Sequence, residues 1–206
     1  MAEKVERRLV AIVSADVAGY SRLMGADETG TLTTLRSHLS ELIDPKISEH
    51  GGRIVKTMGD GFLVEFASAV DAVNCTTEIQ AAIAERNEGV AESKRMQFRI
   101  GINLGDVIAK PDGTIYGDGV NIAARLESLA EPGGLTISGT TFDHVDGKLD
   151  IGLEYLGEKE VKNIAKPVRV YRAELGAGGT RPAVAEAERP SIAVLAFENL
   201  SGDPEQ

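Results

Sequence analysis

The tetrapeptide Met58-Gly59-Asp60-Gly61 joins two short apolar runs, Arg53 to Thr57 and Phe62 to Phe66, and constrains the fold more than any other stretch. Two glycines around an aspartate supply the positive φ angles of a tight hairpin turn, so the two runs must pair antiparallel in a register that the turn sets. A two-stranded hairpin is not stable alone, so its flanks have to complete a sheet and a core. Upstream, Leu9 to Ser14 (LVAIVS) is a β-branched strand. Leu32, Leu35, Leu39, Leu42 and Ile47 then recur at steps of three to five, an amphipathic helix ending near Gly51-Gly52. Downstream, Ser68 can cap a helix whose apolar face is Ala69, Ala72, Val73, Thr76, Ile79 and Ile83. A strand over Gln97 to Asn103 and a shorter one over Val107 to Ala109 come next. The order β-α-β-β-α-β predicts an α+β, ferredoxin-like core: an antiparallel sheet with helices on one face. A helix from about Val120 to Leu129, a small helix near Thr141 and strands over Leu135 to Ser138 and Val168 to Tyr171 extend it.

This pattern occupies residues 8–175, after an N-terminal extension over 1–7. Gly176 to Pro190 (GAGGTRPAVAEAERP) is too polar to bury a core and reads as a linker. Ser191 to Phe197 (SIAVLAF) turns apolar again, so residues 191–206 read as the start of a following domain; a tail docking back on the first domain is the alternative. Lys and Arg number 22 against 32 Asp and Glu, a formal charge of −10, which repels a phosphate polymer, so no nucleic-acid partner is expected. No apolar run approaches the ~20 residues of a membrane helix, and the N-terminus lacks a signal peptide's apolar stretch. The single cysteine, Cys75, excludes an internal disulfide and a cysteine-based zinc site. A cytoplasmic protein without membrane insertion is the expectation. His38, His50 and His144 show no metal-ligand spacing and read as surface residues.

Two carboxylates stand where strands should converge. Asp16 follows the first strand, in Ala15-Asp16-Val17-Ala18-Gly19-Tyr20, and Asp60 sits at the hairpin tip. In a ferredoxin-like sheet the first and third strands are central neighbours, so the end of one meets the start of the other. Either aspartate alone is an ordinary turn residue. Together they form a pair of hard oxygen ligands suited to Mg²⁺ or Mn²⁺, which complete their shells with water and phosphate. Lys56, four residues before Asp60, is either a solvated strand lysine or a donor to a nucleotide base. Asn121 and Arg125, four apart, share one face of their helix, with Ile122, Leu126 and Leu129 as the core-facing stripe. An amide beside a guanidinium can orient a ribose and stabilise charge on a phosphorus undergoing displacement; a solvent-facing polar pair is the bland alternative.

Ala15 to Tyr20, the hairpin Lys56-Thr57-Met58-Gly59-Asp60-Gly61-Phe62, and Tyr116-Gly117-Asp118-Gly119-Val120-Asn121-Ile122-Ala123-Ala124-Arg125-Leu126-Glu127 resemble, in order and spacing, the three signature blocks of class III adenylate cyclases. The resemblance spans about Arg8 to Leu175. It implies that Asp16 and Asp60 hold two divalent cations, Mg²⁺ or Mn²⁺, with the backbone carbonyl of Val17 as a further ligand. Lys56 would contact adenine, Asn121 the ribose, and Arg125 the pentavalent transition state. The implied reaction turns ATP into 3′,5′-cyclic AMP and pyrophosphate. The family's base-reading Asp is Thr114 here, a substitution similar to the subtype that includes bicarbonate-responsive cyclases; a hydroxyl can still accept from the adenine amino group. Lys162 is the candidate for the lysine that holds the triphosphate. The resemblance also implies a head-to-tail homodimer with the sites at its interface. The metal and Lys56 side would come from one chain and Thr114, Asn121 and Arg125 from the other. Arg189 to Gln206 resembles the opening of a TolB-like segment.

Rival readings fit less well. A diguanylate cyclase has a Gly-Gly-Asp/Glu-Glu-Phe hairpin and no counterpart of the Asn121–Arg125 helix. A guanylate cyclase wants an acidic residue at Lys56. A catalytically silent cyclase-like module for dimerisation or nucleotide sensing would have lost one of Asp16, Asp60, Asn121 or Arg125, and all four are present.

Overall fold

In the computed structural model, which describes residues 6–161, 164 and 166–175, an eight-stranded sheet runs through the molecule. Strand β1 (Glu6–Val17) leads into helices α1 (Tyr20–Ala26) and α2 (Glu28–His38), a π-helical turn (Leu39–Ile43) and α3 (Asp44–Glu49). The hairpin strands are β2 (Arg53–Met58) and β3 (Gly61–Phe66), followed by α4 (Ala69–Arg86) and β4 (Phe98–Ala109). A two-residue strand β5 (Ile115–Tyr116) precedes α5 (Asp118–Leu129), then β6 (Leu135–Ser138), α6 (Gly139–Val145), β7 (Gly152–Lys159) and β8 (Val168–Glu174). The order across the sheet is β2-β3-β1-β4-β6-β8-β7, with β5 paired to β4. The first four strands thus make the expected ferredoxin-like core with β1 and β3 adjacent. All pairings are antiparallel except β4 with β6, which runs parallel.

Several boundaries differ from the sequence reading. The leucine-rich segment expected as one helix begins as α2, which Asp27 caps by accepting from the Gly30 amide at 2.9 Å, and is interrupted by the π turn before α3. β1 runs on through Asp16 to Val17, and the two strands expected around Asn103 are one continuous β4, because every residue from Phe98 to Ala109 pairs with β1. β7 escaped notice, since its exposed Glu154 and Tyr155 break any apolar alternation. His38 is buried against Arg86 rather than exposed, with its pKa lowered by burial and then by the Arg86 charge. The expected linker and following segment, residues 176–206, and Lys162 lie outside the described residues. No helix among the described residues is long and apolar enough to cross a membrane.

The two faces of β1 meet different chemistry. Ala11, Val13, Ala15 and Val17 point into the larger core, packed by the α2–α4 side with Phe66, Val73, Ile79 and Phe98. Val10 and Ile12 point the other way, into a small cluster with Leu63, Val107, Ile115 and Ala123 under α5. Strand alternation puts Ser14 and Asp16 on this second face. α5 approaches it closely because Gly101 of β4 has no side chain: a Cβ there would run into the α5 backbone at Ala123 and Glu127. Gly101→Ala must therefore lift the helix or distort the strand. Overpacking of this kind costs about 3 kcal/mol, and we expect a clearly lowered denaturant midpoint, measured beside Gly25→Ala, where the added methyl meets no atom within 4 Å.

Candidate active site

Asp16 and the hairpin tip that carries Asp60 meet at the end of β1. Ala15 pairs with Phe62, and Gly61 presses so tightly against the strand that a Cβ would sit 2.8 Å from the Ala15 carbonyl oxygen. Gly59, at φ 61°, makes the turn. These two glycines bring Asp60 beside Asp16.

Arg99 completes the group, and sequence reasoning did not single it out. It is the β4 partner of Asp16 and grips that carboxylate at both oxygens, Nε to Oδ1 at 3.0 Å and Nη2 to Oδ2 at 2.6 Å. The hydrogen bonds to Asp16 raise its pKa most, and the charges of Glu127 and Asp60 add to the effect. Glu127 of α5 is the second residue missed. Its carboxylate accepts from the Ser14 hydroxyl at 3.3 Å and lies 3.6 Å from Arg99. Burial, and then the neighbouring Asp16 charge, push its pKa up to about 7. The signal for both was available: Arg99 and Glu127 are the charged residues on apolar elements nearest the two aspartates, yet register was needed to see it.

Two carboxylates, Asp16 and Glu127, therefore share one guanidinium, with the charge of Asp60 acting on it from further away, and this excess negative charge is a setting that a divalent cation would relieve. Among the described residues no three His, Cys, Asp or Glu side chains converge as a ready-made ligand cage. Asp16 and Asp60, with the backbone of buried Val17 next along β1, make an open donor set of hard oxygens that leaves coordination positions for phosphate. The donor chemistry fits Mg²⁺ or Mn²⁺.

Asn121 and Arg125 are both exposed on the outer side of α5. The residues that seat the helix are Gly119, Ala123 and Leu126. Leu129, expected in the buried stripe, is 37% exposed, because the face turned to the sheet runs through Gly119, Ala123, Leu126 and Ala130 instead. Glu127 thus faces inward to Asp16 while Asn121 and Arg125 face away from the body of their own chain. A depression of about 520 Å³ lies at the start of α5, between Tyr116, Gly117, Asn103 and Thr140, and is lined by neither Asn121 nor Arg125.

Lys56 is exposed on β2. It pairs with Leu63, and Arg53 pairs with Glu65 two residues further along β3, so Lys56 and Arg53 project from the same face. Arg53 Nη2 donates to the Gly113 carbonyl at 2.8 Å, and Gly113 precedes Thr114. The Thr114 amide donates to Asp112 Oδ1 at 2.9 Å, and this bond is the main cause of the lowered pKa of Asp112. The strand bearing Lys56 and the loop bearing Thr114 are therefore tied together within one chain.

A sequence profile described as the adenylate and guanylate cyclase catalytic domain matches residues 3–174. A Rhizobium meliloti protein named "Putative adenylate cyclase 3" is 45% identical over 99% of the chain, which spans only 36% of that relative's length. Among solved structures, an adenylate/guanylate cyclase/hydrolase from Silicibacter pomeroyi superposes with TM-score 0.76 at 46% identity, covering 82% of this chain and 97% of that one. The adenylyl cyclase CyaB from P. aeruginosa superposes with TM-score 0.73 at 26% identity, covering 83% and 96%.

The raised pKa of Glu127 fixes a sign for stability in the metal-free protein. Unfolded, the group titrates in the usual carboxylate range; folded, near 7. Folding therefore takes up a proton between those values, and this contribution is complete in acid and lost as pH rises through about 7. In EDTA, the melting temperature should fall from pH 6 to pH 8, and Glu127→Gln should flatten that slope. Parallel slopes for the two proteins would contradict the assignment.

Proposed function

Since the chain belongs to the adenylate and guanylate cyclase catalytic domain family, we propose that it converts ATP to 3′,5′-cyclic AMP and pyrophosphate as a head-to-tail homodimer with shared sites. The observation that carries this reading is the division of polar groups about α5. Asp16 and Asp60 gather at its inner side, while Asn121 and Arg125 point outward from the same helix. One chain presents both halves of a site but turns them in different directions, so a second copy has to bring them together.

Asp16, Asp60 and the Val17 carbonyl would hold two divalent cations. Bound there, Mg²⁺ or Mn²⁺ would lower the pKa of the ribose 3′-hydroxyl and neutralise charge along the in-line displacement. Arg99, already at the carboxylates and 30% exposed, offers a forked donor to the entering triphosphate. Asn121 from the partner protomer orients the ribose so that its 3′-oxygen faces the α-phosphorus. The 3′-oxygen loses its proton and bonds to that phosphorus as the bond to the pyrophosphate oxygen breaks. Arg125 stabilises the charge on the pentavalent phosphorus.

Base choice falls to Lys56 and Thr114. The Lys56 ammonium can donate to N1 of adenine, whereas guanine carries a hydrogen there and repels a donor. The Thr114 hydroxyl can accept from the adenine amino group. The Arg53–Gly113 bond supports placing both groups on the protomer that carries Asn121 and Arg125. That grouping differs from the sequence expectation, which set Lys56 with the metal ligands.

Incubation with ATP or GTP and Mn²⁺ or Mg²⁺, with analysis of products, tests the assignment. Cyclic AMP should exceed cyclic GMP for the wild type. Asp60→Ala and Arg125→Ala should each lose on the order of 100-fold or more in kcat, as expected for removing a group that stabilises transition-state charge. Wild-type protein that makes no cyclic nucleotide with either metal would leave a catalytically silent nucleotide-sensing or dimerisation module as the better reading.

A further inference from the structure

Glu65 is a carboxylate in the middle of β3, only 7% exposed, with a guanidinium on each side. Arg8 of β1 donates through Nη2 to Oε1 at 2.9 Å and Oε2 at 3.0 Å. Arg53 of β2 donates through Nε to Oε1 at 3.0 Å. Glu65 is buried, but the Arg8 and Arg53 side chains are 37% and 46% exposed, and ion pairs this open to solvent add little, so stability alone gives little reason for the network. What the network does achieve is to fix the Arg53 guanidinium, because a fork held at one edge by a carboxylate presents its other edge in a set direction. That other edge meets the Gly113 carbonyl.

The segment it meets is the turn between β4 and β5, and just beyond it Ile115 is buried in the small cluster. From Lys110 to Thr114 the chain turns on bonds of its own: Gly113 N to Lys110 O at 2.9 Å, Lys110 N to Thr114 O at 2.9 Å, and the Asp112 cap on Thr114. β5 adds only two paired residues beyond it. Gly113 adopts φ 83°, and a Cβ there would sit 3.0 Å from Arg53 Nη1, so the loop lies directly against the guanidinium.

We propose that Arg53, aimed by Glu65 and Arg8, is a specificity-positioning residue that holds the Thr114 loop at a fixed distance from Lys56, three residues along β2. It touches no substrate. It sets the spacing of the two groups that read the base, and so acts on the choice between adenine and guanine rather than on the displacement. This rests on the nucleotide assignments of Lys56 and Thr114 made above. Arg53→Lys is the informative variant: an ammonium can still neutralise Glu65 but cannot also keep the forked bond to Gly113.

The test measures binding of 3′-deoxy-ATP and 3′-deoxy-GTP with Mg²⁺, which cannot cyclise, to wild type, Arg53→Ala and Arg53→Lys. Hydrogen exchange of the Thr114 and Ile115 amides is followed in the same samples. We expect the wild-type preference for the adenine analogue to shrink about tenfold in both variants, with faster exchange in the loop. The melting temperature of Arg53→Lys should stay near wild type, which separates positioning from unfolding. Unchanged preference in folded Arg53→Lys and Arg53→Ala overturns the proposal, as does a loosened loop without loss of preference. Wild-type protein that binds neither analogue overturns the nucleotide reading itself, and the positioning role falls with it.

Discussion

The seat of α5 on Gly101 sets the arrangement of everything polar in this domain. With any larger residue at 101, the helix would ride higher on β1 and β4, and Glu127 would lose its place beside Asp16. The same seat fixes the rotation of the helix. With Ala123 and Leu126 turned to the sheet, Asn121 and Arg125 have to face outward. A single backbone contact thus decides which charged groups of α5 turn toward the sheet and which face solvent.

The resulting inner cluster is electrostatically unfinished. Arg99 satisfies Asp16, but burial, and then the charge of that aspartate, hold the proton of Glu127 to about pH 7, and Asp60 adds a further carboxylate nearby. Ordinary packing places such charges apart or pairs them fully. Their retention at a strand end, beside a hairpin with two glycines, is the arrangement expected of a site that receives cations and a polyanionic substrate. The overall charge of −10 carries none of this argument, since most of those carboxylates are solvated.

Much of the core was legible from the chain alone. The Gly-Asp-Gly turn announced the hairpin and the 3.6-residue periodicity announced α4, and the β-α-β-β-α-β order read as a ferredoxin-like core made β1 and β3 neighbours, as they are. Local signals failed where register or packing distance decides. Arg99 looks like an ordinary strand arginine until its pairing opposite Asp16 is known. Leu129 fits an apolar stripe by spacing, but the helix is rotated so that Ala123, Leu126 and Ala130 meet the sheet instead. Arg53 and Gly113 are sixty positions apart, and nothing in either neighbourhood signals that a guanidinium spans them.

The central claim is that each site is built from two copies of the chain, and subunit mixing tests it most directly. Asp60→Ala and Arg125→Ala homodimers, inactive separately, are combined under conditions of subunit exchange, and cyclic AMP formation from ATP is followed. Shared sites predict recovery to about a quarter of wild-type activity, since half of the dimers are mixed and each mixed dimer carries one intact site. Mixed dimers that form, shown by differential labelling, yet remain as inactive as their parents would contradict the account.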